Sequence, residues 1–269
     1  MTAPANRRGT RRMEVLKELG LTPVWRISAK YTPISHVSRS SESRANDICR
    51  TANISAETEE HEKKQSTGSA VPSDIRRSRI QHMDWAELQA SVERCVACRL
   101  SESRTQAVFG VGDPDADWLY VGEGPGARED ATGEPFVGQA GKLLDNMLVA
   151  IDLKRGRNVF ITNIVKCRPP ANREPQPDEA QCCEPYLARQ IELIRPRLII
   201  ALGKTAAQNL LHTSASIGSL RGRLHQYAGI PVIVTYHPAY LLRTLTAKAK
   251  AWEDLCFARN TMVALETSR

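Results

Sequence analysis

No apolar run in this sequence is long enough to cross a bilayer, and no signal peptide opens it. Its seven cysteines are therefore not read as a secreted disulfide scaffold. A second tight cysteine pair is also missing. Cys95-Val-Ala-Cys98 has the two-residue spacing, but its distant partners, Cys167 and Cys182-Cys183, are too widely separated for a zinc ribbon. An iron–sulfur group tolerates that spacing, because a larger inorganic core meets its thiolates from several directions. Cys49 and Cys256 read as ordinary residues outside this set. The glycine-rich stretch at 122–126 has neither G-x-G-x-x-G nor the Gly-Lys-Ser/Thr of a P-loop, which argues against a dinucleotide-binding oxidoreductase.

A strong charge of one sign is missing from most of the chain. Residues 1–82 hold 15 Lys and Arg against 9 Asp and Glu, whereas residues 83–269 hold 22 against 21. The formal net charge of +7 thus belongs almost wholly to the N-terminal part. A nucleic-acid surface in the remainder must come from local clusters: Lys166/Arg168/Arg173, Arg221/Arg223 and Arg243/Lys248/Lys250. Residues 1–82 are expected to be an extension, with a short amphipathic helix near 11–19 and a largely disordered remainder rich in Ser, Thr, Arg and Glu. Leu16, Leu19, Val24 and Trp25 could dock this extension on a protein partner.

From Met83 the pattern changes to alternating helices and strands. Asp84 is an N-cap candidate for a helix that delivers Cys95 and Cys98 at its end. Strands are expected at Trp118-Leu-Tyr-Val-Gly, Val159 to Val165, Leu198 to Leu202 and Pro231 to Thr235. Helices are expected from Gln139 to Ile151, Asp178 to Ile194, Lys204 to Leu211 and Ala247 to Leu265. Such alternation implies parallel βαβ units in a three-layer α/β/α sandwich around a mostly parallel four-stranded sheet. Ligands in such sheets sit beyond the carboxyl ends of the strands. Glu123, Asn163 and His237 all fall there.

The residue types suit recognition of a flat heterocycle. Gly122 and Gly124 let backbone approach a ligand, and Glu123 and Glu129 bring carboxylates to it. Phe136, set between turn residues, offers a stacking face. Asn163 interrupts an apolar strand with a donor and an acceptor. His237-Pro-Ala-Tyr-Leu-Leu-Arg adds a histidine, an apolar pair and a cation.

Together, Gly-Glu-Gly-Pro-Gly (122–126), Gly133-Glu-Pro-Phe-Val-Gly, Thr162-Asn-Ile-Val-Lys-Cys-Arg-Pro-Pro and the His237 motif resemble the family 4 iron–sulfur uracil-DNA glycosylases over residues 83–269. The resemblance implies hydrolysis of the uracil–deoxyribose bond in single- or double-stranded DNA by a monomeric, cytoplasmic, nucleoid-associated bacterial repair enzyme. It implies a [4Fe–4S] cluster on Cys95, Cys98, Cys167 and Cys183, with Cys182 one position before the family's last ligand. It implies that Phe136 stacks on uracil, Asn163 reads its edge and Glu129 lies against C5. His237 would donate to O2, Glu123 would position water, and Leu241, with Leu242 beside it, would fill the vacated stack. Two other readings stand beside this one. A uracil-DNA-crosslinking relative would need a basic insertion with a histidine after Phe-Val-Gly, where Gln139 instead runs straight into a helix. A non-catalytic, metal-stapled DNA-binding module would leave the convergence of Glu123, Asn163 and His237 without a purpose.

Overall fold

The computed structural model describes residues 72–267. The expected helix near 11–19, the docking residues Leu16, Leu19, Val24 and Trp25, and Cys49 lie outside them. Among the described residues six strands form one sheet in the order β1-β3-β2-β4-β6-β5. The four central ones are the parallel set expected: β2 (Trp118–Gly122), β3 (Val159–Asn163), β4 (Leu198–Leu202) and β6 (Ile230–Thr235). Two antiparallel edges extend it, β1 (Val111–Gly112) beside β3 and β5 (Leu224–Tyr227) beside β6. The sheet therefore has six strands rather than four. β1 is too short, and β5 too evenly exposed, to carry the apolar run that marks the central strands.

Every residue of β2, β3 and β4 is buried, as expected for strands covered on both faces. Period-2 alternation sorts their side chains into two cores. Leu119, Val121, Phe160, Ile199, Ala201, Val232 and Val234 enter one. Trp118, Tyr120, Val159, Ile161, Leu198, Ile200 and Ile233 enter the other. The first core is covered by α1 (Pro72–Gln81), α2 (Trp85–Glu93), α6 (Pro177–Ile194) and α7 (Lys204–Leu211). The second is covered by α5 (Gln139–Ala150), α9 (Pro238–Arg243) and α10 (Ala247–Thr267). Short helices α3 (Leu100–Ser103), α4 (Ala127–Thr132) and α8 (Ile217–Leu220) complete the α/β/α sandwich.

Asp84 caps α2 as its sequence suggests. Its carboxylate accepts from the Glu87 amide at 2.9 Å, and the Glu87 carboxylate accepts from the Asp84 amide at 3.0 Å, a reciprocal capping box. Packed structure is present upstream of Met83, however. Helix α1 buries Ile80 in the first core, and its Arg76 donates to the Cys182 carbonyl and reaches the Cys95 sulfur. Its sequence, Pro-Ser-Asp-Ile-Arg-Arg-Ser-Arg-Ile-Gln, is mostly polar, and a single apolar anchor gave no helical stripe to read.

Candidate active site and thiol-lined cavity

The last residues of β2 and β3, Gly122 and Asn163, are paired neighbours at the carboxyl end of the sheet. A Cβ atom on Gly122 would lie 2.4 Å from Asn163 Oδ1 and 2.6 Å from the Phe136 ring. Only glycine lets that amide and that ring converge. Asn163 is buried, and its Oδ1 is a buried acceptor with no partner among the described residues. An unpaired buried acceptor is costly, so the place asks for a donor from outside the protein.

Phe136 is held under strain. Its backbone sits at φ 57°, a left-handed conformation that a bulky L residue adopts only when its surroundings impose it. Arg155, anchored by Asp145, donates to the carbonyls of Pro135 and Phe136 at 2.9 and 2.8 Å. Glu129 Oε1 accepts from the amides of Val137 and Gly138 at 3.0 and 2.9 Å. A Cβ on Gly141 would overlap the Phe136 carbonyl, so α5 can approach the loop only through that glycine. The ring is thereby buried and fixed beside His237, with ring centroids 5.5 Å apart. Arg155 had no local sequence signal: an arginine in a polar turn reads as solvated.

His237 caps α9. Its Nδ1 accepts from the Ala239 amide at 3.1 Å, which leaves the ring proton on Nε2. Burial, and then the charge of Arg243, push its pKa down to about 4, so the ring is a neutral donor near pH 7. A Cβ on Gly203, in the β4–α7 turn at φ 93°, would come within 2.8 Å of the His237 Cβ. On the same rim Glu123 bonds the Thr205 side chain. Burial raises its carboxyl pKa above the usual value, and Thr205 and Lys204 oppose that rise.

One expected residue is elsewhere. Leu241 is 1% exposed and packs in the second core beside Leu143, Met147, Trp252 and Leu255. The segment after His237 is a helix, begun by Pro238 at its first turn, and the helical period turns Leu241 inward and Leu242 outward. Leu242 is 44% exposed, with Tyr240 and Leu245 exposed beside it. The expected basic clusters change as well. Lys166 is buried, Arg173 pairs with Glu179 at 2.6 Å, and Arg221 pairs with Asp254 at 2.7 Å. Arg223, Arg243 and Lys250 remain exposed.

On the other face, Cys95, Cys98, Cys167, Cys182 and Cys183 line one small cavity between α2 and α6. Among the described residues no three His, Cys, Asp or Glu side chains close on a point that would hold a single metal ion. The surroundings suit thiolates on a larger group. Arg104 donates to the Cys167 sulfur at 2.9 Å, and backbone amides of Leu100 and Lys166 donate to Cys98 and Cys183. Burial and mutual repulsion hold the Cys98 and Cys167 thiols above their usual pKa and push Cys183 up to about 12. A cationic group in the cavity would reverse that preference.

The uracil DNA glycosylase superfamily model matches residues 109–256, from just before β1 into α10. The chain is 42% identical over 181 residues to the type-4 uracil-DNA glycosylase of Pyrobaculum aerophilum, covering 64% of this chain and 92% of that protein. This chain belongs to the type-4 uracil-DNA glycosylases. The type-4 uracil-DNA glycosylase of Thermotoga maritima is 47% identical over 154 residues, covering 56% of this glycosylase and 80% of its own length. A type-5 uracil-DNA glycosylase of P. aerophilum is more distant, at 32% over 146 residues, 48% of this chain and 64% of that protein. The glycosylase also lacks any insertion between Phe136 and α5: Gly138 is the residue immediately before that helix. No helix among its described residues is long and apolar enough to cross a membrane.

Proposed function

We propose that this glycosylase excises uracil from DNA through Phe136, Asn163, His237 and Glu123. The orphaned Oδ1 of Asn163, beside the fixed Phe136 ring, carries the reading. Flipping a uridine out of the stack costs a few kcal/mol, less from a mismatch or a single strand. Exposed Leu242 fills the vacated stack, and Arg243, Arg223 and Lys250 supply phosphate contacts. The base lies on Phe136. Asn163 Oδ1 accepts from N3–H, and its Nδ2 donates to O4. Cytosine presents the reverse pattern and leaves that acceptor unpaired. The Glu129 carboxylate, pinned by two amides, stands against C5, where a thymine methyl would clash.

As the C1′–N1 bond breaks, its electron pair passes to uracil, and negative charge grows at O2. The Nε2 proton of neutral His237 meets it there, in a site that needs no reorganisation. Glu123, ionised, faces the sugar cation and orients the water that adds to C1′. Gly122 and Gly124 keep the floor open; a Cβ on Gly124 would meet Val165 at 2.8 Å.

Cys95, Cys98, Cys167 and Cys183 would hold a [4Fe–4S] cluster, with Cys183 chosen over Cys182 for the amide donated to its sulfur. Its iron would keep the four thiolates ionised and join α2 to α6. The chain acts as a monomer on single- or double-stranded DNA inside the cell, and residues 1–71 are left for a protein partner. A single-uracil oligonucleotide, with a thymine twin as control, tests the reaction. Alkali-labile cleavage of the uracil strand alone is expected; cleavage of neither strand would refute it.

A further inference from the structure

Lys166 lies in the interior with 1% of its surface exposed. Its ammonium uses all three protons, donating to Thr162 Oγ1 at 2.6 Å, the Asn163 carbonyl at 2.9 Å and Gln190 Oε1 at 2.6 Å. The acceptors are themselves held: Thr162 Oγ1 and Gln190 Nε2 both donate to the Phe109 carbonyl. No ion pair among the described residues includes Lys166. The ionisable groups that face it are Cys167 and Cys183, and its own backbone amide donates to the Cys183 sulfur. One residue thus touches the end of β3 with its side chain and the thiol-lined cavity with its backbone.

Beyond Asn163 the strand leaves the sheet. The amides of Ile164 and Val165 donate to the carbonyls of Gly122 and Glu123, which holds the backbone on one side. The Asn163 carbonyl accepts from the Lys166 ammonium at 2.9 Å. That peptide plane sets the direction of the Asn163 Cα–Cβ bond, and so the angle at which the carboxamide meets a base. A methionine would fill the same space but withdraw the ammonium donor from three buried acceptors, of which Gln190 Oε1 keeps a longer bond from Thr162 Oγ1 at 3.4 Å.

We propose that Lys166 is a positioning residue for base recognition: its ammonium fixes the Asn163 carbonyl and ties that strand end to the cysteine-bearing segment. The inference rests on Asn163 as the reader of uracil. Lys166 touches neither the pocket nor the reacting atoms. Its loss therefore appears in affinity for the base and in excision, and leaves affinity for uracil-free DNA unchanged.

The test uses full-length Lys166→Met, Thr162→Val and Asn163→Ala proteins. Iron per chain, melting temperature, excision rate, free-uracil affinity by calorimetry and affinity for uracil-free DNA are measured for each. Per iron-containing molecule, Lys166→Met is expected to lose about tenfold in kcat/KM and a similar factor in free-uracil affinity, with uracil-free DNA bound normally. Thr162→Val keeps the ammonium and the thiols and removes one anchor, so a smaller loss in the same two quantities is expected. A Lys166→Met protein that loses iron and melts early, while its iron-containing fraction binds uracil normally, would make Lys166 a staple and overturn the proposal. Should Lys166→Met not fold, Thr162→Val decides, and wild-type uracil affinity in it overturns the proposal. Asn163→Ala separates the two levels: if it keeps uracil affinity, the Asn163 reading itself fails. If it loses that affinity while the other two variants keep theirs, only the role of Lys166 fails.

Discussion

In the proposed reaction Glu123 and His237 face the same bond with opposite electrostatic needs, and burial moves their pKa values in opposite senses. To orient water as proposed, Glu123 would have to be ionised, yet burial raises its pKa. Activity is therefore expected to fall as pH drops through a value above the ordinary glutamate range. The acid limb of the kcat/KM profile should lie there, and Glu123→Gln should both slow excision and remove that limb. The proposed role of His237 needs it neutral with its proton on Nε2, and burial holds it neutral down to about 4. Its imidazole resonances should show no protonation between pH 7 and about 5. The stability sign follows. Between the unfolded value of 6.5 and the folded value of about 4 the unfolded chain takes the proton first, so this contribution shrinks as pH falls through that window. Asn163 and His237 were legible in the sequence because each interrupts an apolar context at a strand end. Arg155 and Lys166 were not. Arg155 meets Asp145 and two backbone carbonyls, and Lys166 meets a carbonyl and two neutral side chains, at places that folding sets.

At the scale of elements, α9 shows how far a motif can mislead. Written as a loop, Leu241-Leu242 presents two equivalent apolar residues; as a helix capped by His237 it presents one to the core and one to solvent. Leu241→Ala is expected to cost about 2–5 kcal/mol of stability by opening a cavity against Leu143 and Leu255, measured by denaturant unfolding. Leu242→Ala should leave the melting temperature unchanged and slow excision from duplex more than from single-stranded DNA. The cysteine-bearing elements carry the next expectation. Cys167→Ser should lose the colour of bound iron and thermal resistance together, because the same thiols would hold the cluster and join α2 to α6. Full stability without iron would sink the staple role.

For the whole molecule, the packing of α1 against the rest of the described residues matters most. Deleting residues 1–71 is expected to leave excision of a short uracil oligonucleotide unchanged. Carrying the deletion through residue 82 removes Ile80 from the first core and Arg76 from Cys95 and Cys182, and should lower the melting temperature. Equal melting temperatures for the two truncations would show that α1 contributes nothing.

By itself, the sequence determined the four parallel strands, the helices between them, the N-cap at Asp84 and the grouping of Glu123, Asn163 and His237 at one end of the sheet. Those features rest on local periodicity and on the rule that parallel strands share a carboxyl end. Only the tertiary structure decided which leucine is buried, which cations are already paired and which residues hold Phe136 and Asn163 in place. It also placed α1 and the two edge strands. These depend on side chains far apart in sequence meeting at distances of about 3 Å, and no period along the chain encodes such a meeting.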